Sequence, residues 1–384
     1  MRRTLRVLSV AACLPAAAAA QRADVLIRGG TVYDGGGGPP RVADVALRGD
    51  RIVLVGAANG WSAPVTIDAR GWIVAPGFID PHIHALGDLA SRQRAARQAA
   101  YALMQGVTTV ITGNDGGGPF EIGRTLAGFR RDSIGPNAAL LVGHGTVRGA
   151  VMGQADREPA AAELDSMKAL VAKAMREGAF GLSTGLYYAP GSFAKTDEVV
   201  ALARVAAAQG GLYDSHTRDE SSYTIGLLGS IQEALDVGRE AGIPVNISHI
   251  KALGVDVWGK APEVVALIRK AQAEGVRVTA DQYPWTASGT SMSAALLPRW
   301  AEGGGRDSLL ARLADASTRA RIAAEMRDNL RRRGGAATLL VTSVSRGVDP
   351  AALGKTLEEY AGSRGVDPIE AAIGVIQSGS AGLA

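Results

Sequence analysis

Two histidines separated by one residue close a short apolar run in this chain, Ala75-Pro-Gly-Phe-Ile-Asp-Pro-His-Ile-His84. In extended backbone, residues i and i+2 point to the same side, so His82 and His84 converge on one point. Two imidazoles meeting at the end of a strand suit a divalent cation with open coordination positions. Asp80-Pro81 ends ladder pairing there, because proline has no N–H to donate. A bare His-x-His also fits a surface turn. What tells against the turn is recurrence: the three other histidines, His144, His216 and His249, also fall at the ends of strand-like runs.

The elements that must position these side chains alternate. From residue 77 onward, apolar runs alternate with helix-length segments, as in a parallel α/β architecture. Strands are expected over 77–84, 107–114, 138–145, 180–186, 212–218, 245–251 and 278–283. Helices are expected over 89–105, 160–177, 196–209, 223–241 and 261–275. Gly106, Gly178, Gly210, Gly242 and Gly275 stand where helix C-terminal glycines belong. His82, His84, Asp115, His144, His216, His249 and Asp281 all fall at strand ends, where parallel α/β folds carry their chemistry. After Tyr283 come helices within 306–332, a strand near 338–344 and a helix near 368–377. Residues 24–73 differ, with short runs separated by turn residues such as Gly35-Gly-Gly-Gly-Pro-Pro40, and read as a small β unit.

The 384 residues are 47% hydrophobic and 20% charged, which allows one large core or two domains. The net charge of +4 includes Arg2, Arg3 and Arg6 of a leader-like stretch without acids, so it gives no argument for nucleic acid. Residues 1–20 read as a secretory signal peptide, with Arg2-Arg3 before an apolar run and Ala18-Ala19-Ala20 as the cleavage region. The run is too short to span a bilayer. The protein is therefore expected to be exported, periplasmic or secreted; lipoprotein processing at Cys13 is the alternative. Cys13 is the only cysteine, so no intrachain disulfide can form. No Gly-x-x-x-x-Gly-Lys followed by Ser or Thr, as a phosphate loop requires, and no zinc ribbon occurs.

Pro76-Gly-Phe-Ile-Asp-Pro-His-Ile-His84 resembles the first-strand signature of the amidohydrolase superfamily, and the chain from about Asp24 onward resembles its D-aminoacylase branch. The resemblance implies an α/β fold, a TIM-like (β/α)8 metal-dependent hydrolase barrel whose last strand is missing from this chain, with a small N-terminal β-sandwich part. The expected organisation is 1–20 signal peptide, 21–75 sandwich half and 76–384 incomplete barrel. It further implies that His82, His84, His216 and His249 ligate metal. Asp115, in Gly113-Asn-Asp-Gly116, stands where the family commonly has a cysteine ligand; a carboxylate can ligate or bridge divalent cations, and an Asp-Gly turn is the other reading. Zinc, one or two ions, is the expected cofactor, with iron or manganese open. Tyr283, with Ser288 or Thr290, would hold a substrate carboxylate, and Lys251 would face substrate. A core tyrosine and a solvated lysine are the competing readings. His144 receives no role. The family's general-base aspartate is expected beyond Ala384, so no catalytic base is assigned.

The activity implied is metal-dependent amide hydrolysis, deacylating N-acyl-D-amino acids, with a small N-acyl amino acid or peptide-like molecule as substrate and neither nucleic acid nor a membrane span involved. The alternatives are a cyclic-amide hydrolase of the dihydroorotase or hydantoinase kind, a dipeptidase of the same superfamily, or a non-catalytic fragment. Cyclic-amide hydrolases typically carry a bridging lysine on the fourth strand; Phe180-Gly-Leu-Ser-Thr-Gly185 has none.

Overall fold

The computed structural model describes residues 21–384, so the signal-peptide reading of residues 1–20 lies outside the described residues. Contacts divide the chain into two units between Gly77 and Phe78. In the first unit, β1 (Val25–Val32) pairs antiparallel with β2 (Arg41–Arg48), and β2 with β3 (Arg51–Gly56). β4 (Val65–Asp68) and β5 (Ile73–Val74) both run parallel to β1. These five strands form one sheet; Gln21–Arg22 and Trp61–Ser62 pair parallel as a separate short one, and two small apolar clusters form around Leu26 and Ala46 and around Val32 and Val45.

The second unit is built on a seven-stranded parallel sheet. Its strands are β6 (Phe78–Asp80), β7 (Val107–Thr112), β8 (Asn137–Gly143), β9 (Gly181–Gly185), β10 (Leu212–His216), β11 (Val245–Ile247) and β12 (Val278–Ala280), paired in sequence order. Pairing such as Gly185 with His216 and Ile247 with Ala280 keeps the C-terminal ends level. The sheet is also strongly curled. β6 and β11 are five strands apart, which at about 4.8 Å per strand would be roughly 24 Å in a flat sheet. The rings of His82 and His249, just past those two strands, nevertheless lie 4.7 Å apart. This is the curvature of a TIM-like barrel, and it gathers the strand ends around one space.

Helices α1 (Ile122–Asp132), α2 (His144–Met152), α3 (Ala161–Arg176), α4 (Thr196–Ala207), α5 (Gly226–Ala241) and α6 (Ala261–Ala273) accompany the strands. Their apolar faces, including Met167, Val171, Leu202, Ile231 and Leu235, share a core with Val110, Leu140, Val142, Leu182, Tyr213 and Ile247 of the strands. The middle strands β9 and β10 are buried on both faces, as expected of a parallel sheet, whereas edge strand β6 leaves Phe78 and Ile79 exposed. A second core forms around Met292, Leu296, Ile322, Met326, Leu357 and Ile373. It joins α7 (Gly305–Ala314), α8 (Ala316–Arg332), α9 (Leu357–Arg364) and α10 (Pro368–Ser378) to a three-stranded antiparallel sheet of β13 (Thr290–Ser291), β14 (Val341–Val344) and β15 (Ala381–Leu383).

Three expectations need correcting. The single helix over 89–105 is three one-turn pieces, Leu86–Leu89, Arg94–Arg97 and Ala100–Leu103. Ala99 takes φ +43, left-handed backbone that breaks the helix, and Gly135 packs so closely there that a Cβ would meet the Gln98 carbonyl oxygen at 2.1 Å. The third strand stops at Gly143, and His144 opens helix α2. The other strands are also shorter than expected, because the polar residues at their ends belong to loops. Among the described residues, no helix is long and apolar enough to cross a membrane.

Candidate metal centre

Each strand end hands over its side chain by a local device. After β6, Asp80 accepts the His82 N–H at 3.0 Å, which turns the chain so that both histidines leave the strand. After β7, Asp115 takes φ +56, an uncommon conformation for a residue with a Cβ, costing about 1–3 kcal/mol and found chiefly where surroundings enforce it. Here they do. Ser183 accepts the Gly116 N–H at 3.2 Å and donates to the Gly113 carbonyl at 2.6 Å. Gly185 lies so close that a Cβ would meet the Asp115 carbonyl oxygen at 2.2 Å. His216 is the last residue of β10. His249 follows β11 with φ +34, its N–H held by the Asp281 carboxylate at 2.6 Å.

The structure brings His82, His84, Asp115, His216 and His249 together. Asp115 Oδ1 lies 3.5 Å from His82 Nε2, 3.5 Å from His216 Nδ1 and 3.6 Å from His249 Nε2; Oδ2 lies 3.4 Å from His84 Nε2. These separations are too long for good hydrogen bonds. They match the edge of a tetrahedron whose corners sit about 2.0–2.1 Å from a shared ion, which is roughly 3.3–3.4 Å. Two ligand trios share Asp115: His82 and His84 on one side, His216 and His249 on the other. Among the described residues, both ring nitrogens of His82 and of His216, and Asp115 Oδ1, are buried without a hydrogen-bond partner. Buried polar atoms are rarely left so, and a cation between them would satisfy them. The donor set therefore fits a divalent metal, and Asp115 is common to both trios.

The four imidazoles differ in charge: burial works against a charged His249, but the Asp115 and Glu220 carboxylates raise it to about 9, and Asp115 raises His84 above its ordinary value, so these two would release protons on binding a cation. Burial pushes His82 down to about 4, so its imidazole is neutral near pH 7, the form that ligates. Burial raises the Asp115 carboxyl, but the imidazoles of His216, His249 and His84 beside it hold it well below the usual carboxylate range. His249 Nδ1 lies 2.9 Å from Lys251 Nζ and 3.1 Å from Glu220 Oε1, and these two groups, themselves paired, hold the ring with Nε2 toward Asp115. Burial pushes the Asp214 carboxyl up to about 6; it sits beneath the cluster, accepting from Asn114, Asn246 and Ser248.

A cavity of about 480 Å³ opens on the cluster. It is lined by the expected Lys251, Tyr283, Ser288 and Thr290, and also by Glu220, Tyr187, Tyr188 and Arg333. Lys251 donates to Glu220 and lies 5.6 Å above the Tyr283 ring. Burial and the nearby Glu220 carboxylate push Tyr283 up to about 12, which keeps its hydroxyl a donor. His144 stands apart: fully buried, it meets Glu198 at 2.8 Å, and Glu198 also pairs with the buried Arg148. Sequence reasoning missed Glu220 and Arg333. Only Glu220, four residues after His216, carried a local sign, an acid following a strand-end histidine.

A sequence profile of the amidohydrolase family matches residues 65–334. D-aminoacylase of Alcaligenes xylosoxydans xylosoxydans is 37% identical over 292 residues, covering 70% of this chain and 59% of that protein. N-acyl-D-glutamate deacylase of the same organism is 38% identical over 292 residues, covering 70% and 58%. The chain thus spans about three fifths of the length of these curated relatives. The crystal structure of N-acyl-D-glutamate deacylase from Bordetella bronchiseptica, complexed with zinc and a phosphonate mimic of the tetrahedral intermediate, superposes with a TM-score of 0.76 at 29% identity, covering 94% of this chain and 72% of that one.

Proposed function

The chain belongs to the amidohydrolase family, and from that premise we propose that it hydrolyses the linear amide of N-acyl-D-amino acids, releasing a D-amino acid and a carboxylate. The observation that carries this reading is the set of four imidazoles spaced at ligand-edge distances around Asp115. The names of the relatives supply the substrate class and the D configuration. His82, His84, Asp115, His216 and His249 would hold the metal, and zinc suits histidine plus carboxylate. When bound, such an ion polarises a carbonyl and lowers the pKa of water towards about 7.

The remaining roles belong to this chain's own side chains. Asp281 and Glu220 orient His249, one through its backbone N–H and the other through Nδ1. Tyr283, held protonated, and Ser288 or Thr290 would donate to the substrate carboxylate, with Lys251 adding positive charge alongside. Tyr187 and Tyr188 wall the site beside His216, their rings 5.9 and 4.7 Å from its ring, and keep water from that side. The fourth-strand position of a bridging lysine lies in β9, Gly181–Gly185, which has none, so the linear amide is preferred over the cyclic one.

The test counts zinc equivalents and follows hydrolysis of N-acetyl-D- and N-acetyl-L-amino acids side by side. One or two equivalents, with turnover of the D series that is lost in His216→Ala, is the expected result. Bound zinc without turnover of either series would sink the substrate assignment, and absence of stoichiometric zinc would sink the centre.

A further inference from the structure

Among the described residues, Arg333 is the only one lining the cavity that lies beyond Thr290 in the sequence. It is the first residue after α8, and Gly334 and Gly335, at φ +94 and +103, turn the chain away behind it. The helical part thus delivers one side chain to the site, and it is a guanidinium. Its Nε donates to the Ala295 carbonyl at 3.2 Å and one Nη to the Tyr187 hydroxyl at 3.0 Å. Both acceptors are neutral. Tyr187 in turn donates to the Ala294 carbonyl at 2.7 Å, which fixes the ring between Arg333 and His216.

Two more cations crowd the same corner. Arg299 stacks on Tyr187 at 4.5 Å, and Arg332 lies 5.7 Å from the Tyr223 ring, which Arg333 approaches to 5.9 Å. Among the described residues, only Arg299 of these three has an acid partner, Glu302 at 2.7 Å. The acids of the cavity, Asp80, Asp115, Glu220 and Asp281, line it together with the histidines, and Glu220 already pairs with Lys251. Of the three, only Arg333 lines the cavity, and among the described residues it has no acid partner; Arg299 and Arg332 line a neighbouring hollow that also holds Glu325 and Asp328. A half-buried cation among neutral acceptors is costly to hold, and a guanidinium fork matches a carboxylate in geometry as well as charge.

We infer that Arg333 is a specificity-determining residue that receives a second carboxylate of the substrate, beyond the one next to the amide, so that dianionic N-acyl amino acids are preferred. This rests on the deacylase reading. The second carboxylate would come from an acidic side chain or from a dicarboxylic acyl group, and the substrates below separate the two.

The experiment measures kcat and KM for N-acetyl-D-glutamate, N-succinyl-D-leucine and N-acetyl-D-leucine with the full chain, Arg333→Met and Arg333→Lys. In Arg333→Met, kcat/KM for one dianion should fall roughly 10- to 100-fold further than for N-acetyl-D-leucine, mostly through KM, with Arg333→Lys in between. A larger loss for N-acetyl-D-glutamate assigns the side chain; a larger loss for N-succinyl-D-leucine assigns the acyl group. Equal losses on all three substrates, or none, overturn the inference. Calorimetric binding of glutarate to the same proteins gives a readout that needs no turnover. Arg333-dependent glutarate binding without hydrolysis of any substrate would sink the deacylase reading and leave the anion site. Hydrolysis of the D series with no Arg333 dependence would sink the anion site alone. Failure of both measurements would sink both.

Discussion

Replacing Glu198 by glutamine should destabilise the second unit by about 3–5 kcal/mol without altering the metal centre. Glu198 bridges His144 Nε2 at 2.8 Å and the Arg148 guanidinium, with side-chain exposures of 3%, 0% and 0% respectively. Arg148 otherwise meets only the carbonyls of Ala155 and Arg157, at 3.3 and 2.6 Å, and neither carries charge. Glutamine keeps the shape but leaves a buried guanidinium uncompensated, the situation in which breaking a buried pair costs most. For a unit of about 300 residues, an unfolding entropy of ~2.1 cal/mol/K per residue turns that loss into roughly 5–8 °C. Urea denaturation and thermal melting at pH 7 measure it. The double replacement Glu198→Leu with Arg148→Met removes both charges, and its cost should fall short of the summed single costs by more than about 1 kcal/mol. A loss below about 1 kcal/mol in Glu198→Gln, or strict additivity in the double variant, would refute the reasoning.

The same pair fixes a pH dependence. Burial raises the Glu198 carboxyl, but its contacts with His144 and Arg148 outweigh that and bring it below the usual 4.5. A carboxyl depressed in the folded state stabilises fully above its unfolded value and loses that contribution as pH falls through the folded one. The stability gap between the unmodified protein and Glu198→Gln should therefore hold above about pH 4.5 and narrow below it; a gap that widens on acidification contradicts this. Asp115→Ala should reduce bound zinc by at least one equivalent, read by elemental analysis, because both ligand trios use that carboxylate. Gly185→Ala changes no ligand, yet its Cβ would collide with the Asp115 carbonyl oxygen at 2.2 Å. It should weaken zinc affinity roughly 10- to 100-fold in a competition titration, and unchanged affinity would show that the Asp115 loop shifts freely.

The histidine cluster was legible in the sequence because two local rules met. Alternation in extended backbone aligned His82 with His84, and apolar runs marked where His216 and His249 leave their strands. Asp115 was legible for the same reason, as a polar residue just past Val107–Thr112. The seven parallel strands could be counted from their regular alternation with helix-length segments, but their curvature followed only from the resemblance to a barrel family. In the structure it is read from His82 and His249 meeting across five strands. Arg333 was invisible: it lies 50 residues beyond Tyr283 at the end of an ordinary polar helix, and only the packing of Met292, Ile322 and Met326 brings that end to the cavity. His144 looked like its fellow strand-end histidines. Its partner Glu198 is 54 residues away, and no local pattern announces a buried pair of that span.

The most direct test of the central claim is X-ray absorption at the zinc edge on the zinc-loaded protein. Four imidazoles and the Asp115 carboxylate predict a first shell of nitrogen and oxygen at about 2.0–2.1 Å, with outer-shell scattering from imidazole rings. A sulfur shell near about 2.3 Å, or an oxygen-only shell without imidazole scattering, would contradict it.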